Sequence, residues 1–106
     1  MKDIDTLEAR FKAELVSALR RAARGRSPRL FSLRDNRPNS SARRLREKAQ
    51  RLLDLRASYS VDPSAHSPAA SYLLACLKWD HGFGNPKPSP QGFAENLLRE
   101  LEDHAT

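Results

Sequence analysis

The sequence predicts an all-α fold, and three observations carry that prediction. Apolar residues fall along one side at helical spacing in three separate segments and point nearly all round in a fourth, as helices of different burial do. Ser67-Pro68 and Ser89-Pro90 stand at the head of two of those segments, where serine caps a helix and proline suits its first turn. Gly25 and Gly82 follow two of them, where a helix stops in the left-handed conformation that glycine takes cheaply. The expectation is a single compact four-helix domain over 1–106. Its helices run near 4–24, 40–56, 68–81 and 90–104, with the third at the centre.

The first segment carries Ile4, Leu7, Phe11, Leu15, Leu19 and Ala22 along one side. Asp5 followed by Glu8 has the geometry of an N-terminal capping pair, with Asp3 as the alternative cap. Glu8 and Lys12 form an i,i+4 pair in the favourable order. Arg20, Arg21 and Arg24 fill the last turns, where cations complement the helix dipole.

A connector of 14 residues, Arg26 to Asn39, follows, with Pro28, Pro38 and four arginines. Its centre is apolar: Leu30, Phe31 and Leu33 need somewhere to go. Structureless loops of this length are uncommon in a compact domain and are usually functional or mobile. A short strand or one helical turn that docks Phe31 on the core is expected. A minimal β-ribbon pairing Leu30–Leu33 with Ser58–Val61 is one form of it, marginal unless a helix covers it.

The second helix should be capped by Asn39, Ser40 or Ser41. Ala42, Leu45, Ala49, Leu52 and Leu53 fall within an arc of about 100°, with Arg44, Lys48 and Arg51 as a stripe beside it. Glu47 is placed to pair with Arg51. In the third helix Tyr72, Leu73, Leu74, Ala75, Cys76, Leu77 and Trp79 point nearly all round, so it should be the most buried. The fourth has an apolar side of Phe93, Leu97, Leu98 and Leu101. Glu95, Glu100, Glu102 and Asp103 make it acidic. Acids at a helix C-terminus oppose the dipole, so a cation should lie near them, from the arginine block of this chain or from a partner.

The formal charge is +6, from 19 basic and 13 acidic residues. It is spread unevenly. Between Leu19 and Arg56 stand 13 basic and 3 acidic residues, a local charge of +10, while the flanking segments carry −1 and −3. Fourteen arginines outnumber five lysines, and arginine is the better residue for bidentate phosphate contact. The candidate nucleic-acid-binding residues are Arg20, Arg21, Arg24, Arg26, Arg29, Arg43, Arg44, Lys48 and Arg51. Such a surface tracks a phosphate backbone and releases counterions. The same residues also suit a solvated helix face, paired with the acidic fourth helix. Aromatic interleaving is thin: Phe31 and Tyr59 alone lie in or beside the block, which argues against a base-stacking platform. The helices are separated by about 14 and 11 residues, too many for a helix-turn-helix. Backbone clamping by a helical domain with a mobile arm fits better. The leading expectation is therefore a nucleic-acid-associated protein, DNA or RNA, of low sequence specificity. The alternative is a protein-interaction module, a small regulator, adaptor or inhibitor whose basic surface meets an acidic protein. A homodimer is compatible with either.

Other chemistry finds little support. Cys76 is the single cysteine, which excludes an intrachain disulfide framework and a classical four-ligand Cys/His zinc finger. Among His66, Cys76, His81 and His104, one pair, Cys76 and His81, is close in sequence, and no second pair at ligand spacing supports it. Asp80-His81 before Gly82-Phe83-Gly84 reads as a helix end and turn, not as an acid–base pair under a phosphate loop. The expectation is a non-enzyme with no cofactor and no metal. The longest apolar run, Tyr72 to Leu77, spans six residues, against about 20 for a membrane span. The opening Met-Lys-Asp-Ile-Asp has no apolar core of signal-peptide length, so a cytoplasmic location is expected.

Overall fold

In the computed structural model, which describes residues 2–58, 67–82 and 89–103, the apolar periodicities become four helices. They are α1 (Lys2–Ala23), α2 (Ser41–Ser58), α3 (Pro68–His81) and α4 (Pro90–Asp103). Residue 104, the expected end of α4, lies outside the described residues, and no strand occurs among them. The radius of gyration is 13.4 Å, as expected of a compact chain of this length.

The helix ends follow local chemistry. α1 stops at a paired bridge: the Gly25 amide donates to the Ala22 carbonyl at 3.0 Å and the Arg26 amide to the Arg21 carbonyl at 2.9 Å. That is the Schellman arrangement, with Gly25 at φ +81°. Ser40 caps α2, its hydroxyl accepting the Arg43 amide at 3.2 Å. Ser67 and Ser89 do the same for Ala70 at 3.3 Å and Gly92 at 3.0 Å. At its other end α3 is closed by Gly82 in the left-handed conformation. The N-terminus of α1 differs from the expected cap. The helix already runs at Lys2, so Asp5 and Glu8 sit inside its first turns. Glu8 reaches across to Arg56 on α2 rather than along the helix to Lys12.

α1 and α3 each pack on all three other helices, while α2 and α4 do not meet, so α3 shares the centre of the domain with α1. Ile4, Phe11, Leu15, Ala18, Leu19 and Ala22 are buried along it, whereas Leu7 is 41% exposed. α3 buries Ala69, Tyr72, Ala75 and Cys76, and leaves Leu74 and Leu77 52% and 47% exposed. A helix that is apolar nearly all round is thus covered on one side only, among the described residues. The small residues at 69, 75 and 76 let its neighbours approach closely there.

The connector docks Phe31 on the core, through turns rather than a strand. Amides of Leu30 and Ser32 donate to the carbonyls of Ser27 and Arg29 at 3.2 and 3.0 Å. The second half of the conceived ribbon, 59–61, lies outside the described residues. Phe31 is 1% exposed. Its ring meets Phe93 edge-on at 4.9 Å and lies 6.2 Å from both Tyr72 and Trp79, within the range of favourable aromatic pairing. The connector is therefore a part of the core that closes the space between α3 and α4.

Candidate nucleic-acid interface

The connector backbone, which carries part of the arginine block, is held at three points. The buried Tyr72 hydroxyl donates to the Leu30 carbonyl at 2.7 Å. Arg46 donates through Nη1 to the Leu33 carbonyl at 3.1 Å and through Nη2 to the Asp35 carbonyl at 2.6 Å. Asp35 accepts from Arg37 Nε and Nη2 at 2.8 and 2.9 Å and from the Ser40 hydroxyl at 2.9 Å. Ser40 thereby couples the connector to the start of α2. The connector is an anchored turn, held by buried aromatic area and hydrogen-bonded carbonyls.

The nine candidate cations divide into two groups. Arg20, Arg21, Arg24, Arg26 and Arg29 are all exposed. Arg21 donates to the Ser17 hydroxyl at 3.0 Å, and among the described residues none of the five is ion-paired to a carboxylate. Arg20, Arg21 and Arg24 rim a shallow surface groove of about 670 Å³ along the outer side of α1. The Schellman turn then carries the chain round, and Arg26 and Arg29 line a second groove, about 590 Å³, together with Arg37 and Asp35.

The second group lies on α2 and is largely neutralised from within. Arg44 and Lys48 converge on Glu14 of α1, at 3.4 and 2.8 Å. Arg43 pairs with Glu47 at 3.0 Å and donates to the Asn36 carbonyl at 2.9 Å. Glu47 therefore serves Arg43, not Arg51 as its spacing suggested. Arg51 is exposed and lines a smaller, mainly apolar groove between α1 and α2 with Arg10, Leu7 and Leu55.

Among the described residues the acidic helix does not act as the internal competitor. Glu95, Glu100 and Glu102 form no ion pair with the arginine block among the described residues, and α4 makes no contact with α2. The competing carboxylates are Glu14, Glu47 and Asp35.

Sequence reasoning passed over Arg46, Arg56 and Glu14. Arg56 is buried and pairs with Glu8. A signal existed for both arginines. Arg56 lies four residues after Leu52, and Arg46 four after Ala42, so both fall on or beside the apolar arc of α2. An arginine in such a place holds structure. For Glu14 no signal existed, since its partners come from another helix.

Titration follows the same geometry. Hydrogen bonds from Arg37, with help from Ser40, hold the Asp35 carboxyl well below the ordinary carboxylate range, and Arg37 is raised in turn. Burial pushes the Tyr72 hydroxyl far up and the Cys76 thiol up to about 11. Cys76 is thus a protonated core thiol and no nucleophile at neutral pH. No three His, Cys, Asp or Glu side chains converge as a metal site among the described residues. No described helix is long and apolar enough to cross a membrane.

Fold and surface together define a class: a four-helix domain whose exposed arginine face, at one helix end, meets no carboxylate among the described residues. No protein-family model, curated protein or solved structure matches the chain.

Proposed function

We propose that the chain binds the phosphate backbone of DNA or RNA through Arg20, Arg21, Arg24, Arg26 and Arg29, without reading base sequence. One observation carries the reading: five exposed arginines lie within ten consecutive residues, and none is neutralised by a carboxylate among the described residues. Guanidinium groups in such a row displace condensed counterions from a polyanion. Arg43, Arg44 and Lys48 contribute less, because Glu14 and Glu47 already occupy them. The reading is of a binding protein because it rests on the exposed arginine row, not on any group placed for catalysis.

Fluorescence anisotropy with single- and double-stranded DNA and RNA at about 50 mM salt tests it. Binding should be indifferent to sequence, and its logarithm should fall with log salt at a slope of about −4 to −5 on duplex DNA if all five arginines engage. Absence of binding to all four polymers ends the proposal. If polyglutamate binds where nucleic acid does not, the surface belongs to an acidic protein partner.

A further inference from the structure

We propose that the outer face of α3, with the cleft between α3 and α4, is a self-association surface whose occupant is a second copy of this chain. This rests on observations separate from the arginine face. Leu74 and Leu77, one helical turn apart, are 52% and 47% exposed, while every other leucine of α3 and α4 is at least partly buried. Beside them a cleft of about 190 Å³ opens between the two helices, its walls formed by Leu74, Ala75, Phe93 and Leu97. Leu77 does not line that cleft. It stands next to it as a projection.

A two-fold contact uses the same patch on both copies, so the patch must carry both a projection and a recess. This one does. It also carries both signs of charge, one on each wall: Lys78 on α3 and Glu100 on α4. Both are exposed, and neither is ion-paired among the described residues. A uniformly acidic or basic partner would meet one of the two charges with repulsion. A second copy related by a two-fold axis instead brings Lys78 of each chain to Glu100 of the other, satisfying both. The same contact covers the exposed Leu74 and Leu77 from water.

Sedimentation equilibrium on the intact chain tests the proposal. With concentration raised to about 1 mM, the range in which a small interface associates, the mass should rise towards twice the 12.0 kDa of the monomer. Leu77→Glu should hold it at the monomer mass, with an unchanged helical circular-dichroism spectrum as the folding control. Lys78→Glu and Glu100→Lys should each weaken dimerisation about tenfold, from two like-charge contacts replacing two ion pairs. Mixing those two variants should restore a heterodimer, because each then meets an opposite charge at both contacts. A wild-type chain that stays monomeric throughout overturns the proposal. So does a dimer that survives Leu77→Glu, or a mixture that associates no better than either variant alone.

Discussion

The Tyr72 hydroxyl and the Leu30 carbonyl are joined by a buried hydrogen bond of 2.7 Å that spans 42 positions of sequence. It links α3, the helix with the largest aromatic stake in the core, to the connector that carries Arg26 and Arg29. Tyr72 also touches Phe11 and Phe31 with its ring, so one side chain ties the apolar packing to the placement of the arginine face.

Tyr72→Phe keeps the ring and deletes the donor. The Leu30 carbonyl is then left buried without its partner, a cost of about 1–3 kcal/mol. Urea denaturation should show that loss with an unchanged slope. An unchanged midpoint would mean that the hydroxyl does not hold the connector. Phe31→Ala, which opens a cavity among three other aromatic rings, should cost more, about 3–5 kcal/mol.

Arg46 makes a different claim, because its charge is spent on carbonyls. Arg46→Met retains length and removes both donors to Leu33 and Asp35. The amides of residues 33–37 should exchange faster with deuterium, and nucleic-acid affinity should fall although Arg46 is not among the exposed cations. If exchange in that segment is unaltered, the Arg46 bonds do not anchor the turn.

Asp35 gives a pH dependence with a defined sign. Its carboxyl is held below its ordinary value chiefly by Arg37. A depressed folded-state pKa contributes stability that is complete above the unfolded value, about 3.9, and is lost as pH falls through the lower folded value. Asp35→Asn should therefore lower the melting temperature at pH 7. The gap from wild type should narrow as pH drops from about 4 to about 2. Thermal melts across that range decide it: a gap that stays constant to the acid end would show that the carboxylate's charge is not what matters.

Much of the fold was legible in the sequence, and the reason is local. Ser67, Ser89, Gly25 and Gly82 mark helix ends by chemistry that acts within one turn, and the steps between Ile4 and Ala22 define a face without reference to any partner. What was not legible depends on packing between elements. The apolar encirclement of α3 suggested a helix buried all round, but which of its sides are covered depends on where its three neighbours lie. The same holds for the site. The arginine run from Arg20 to Arg29 was visible as a charge density, yet its separation from the α2 stripe required knowing that Glu14 faces α2. The acids of α4 were read as the competitor because charge totals carry no direction.

Glu14 therefore provides the sharpest test of how the basic surface is apportioned. It holds both Arg44 and Lys48, with its side chain 33% exposed, so the pairs are partly screened and worth little to stability. Glu14→Gln should leave the melting temperature nearly unchanged while releasing two cations to solvent. Nucleic-acid affinity should then rise several-fold at low salt, and the salt slope should steepen by about one to two units on duplex DNA. Neutralising Arg20, Arg24 and Arg26 together should act in the opposite sense, flattening the slope by about three. The two effects should add, since the groups lie on different helix faces and share no partner. A slope that is indifferent to Glu14→Gln but collapses in the triple variant would confine binding to the α1 end and connector. One that follows Glu14 and ignores the triple variant would move the interface to α2 and overturn the assignment made from the unpaired arginines.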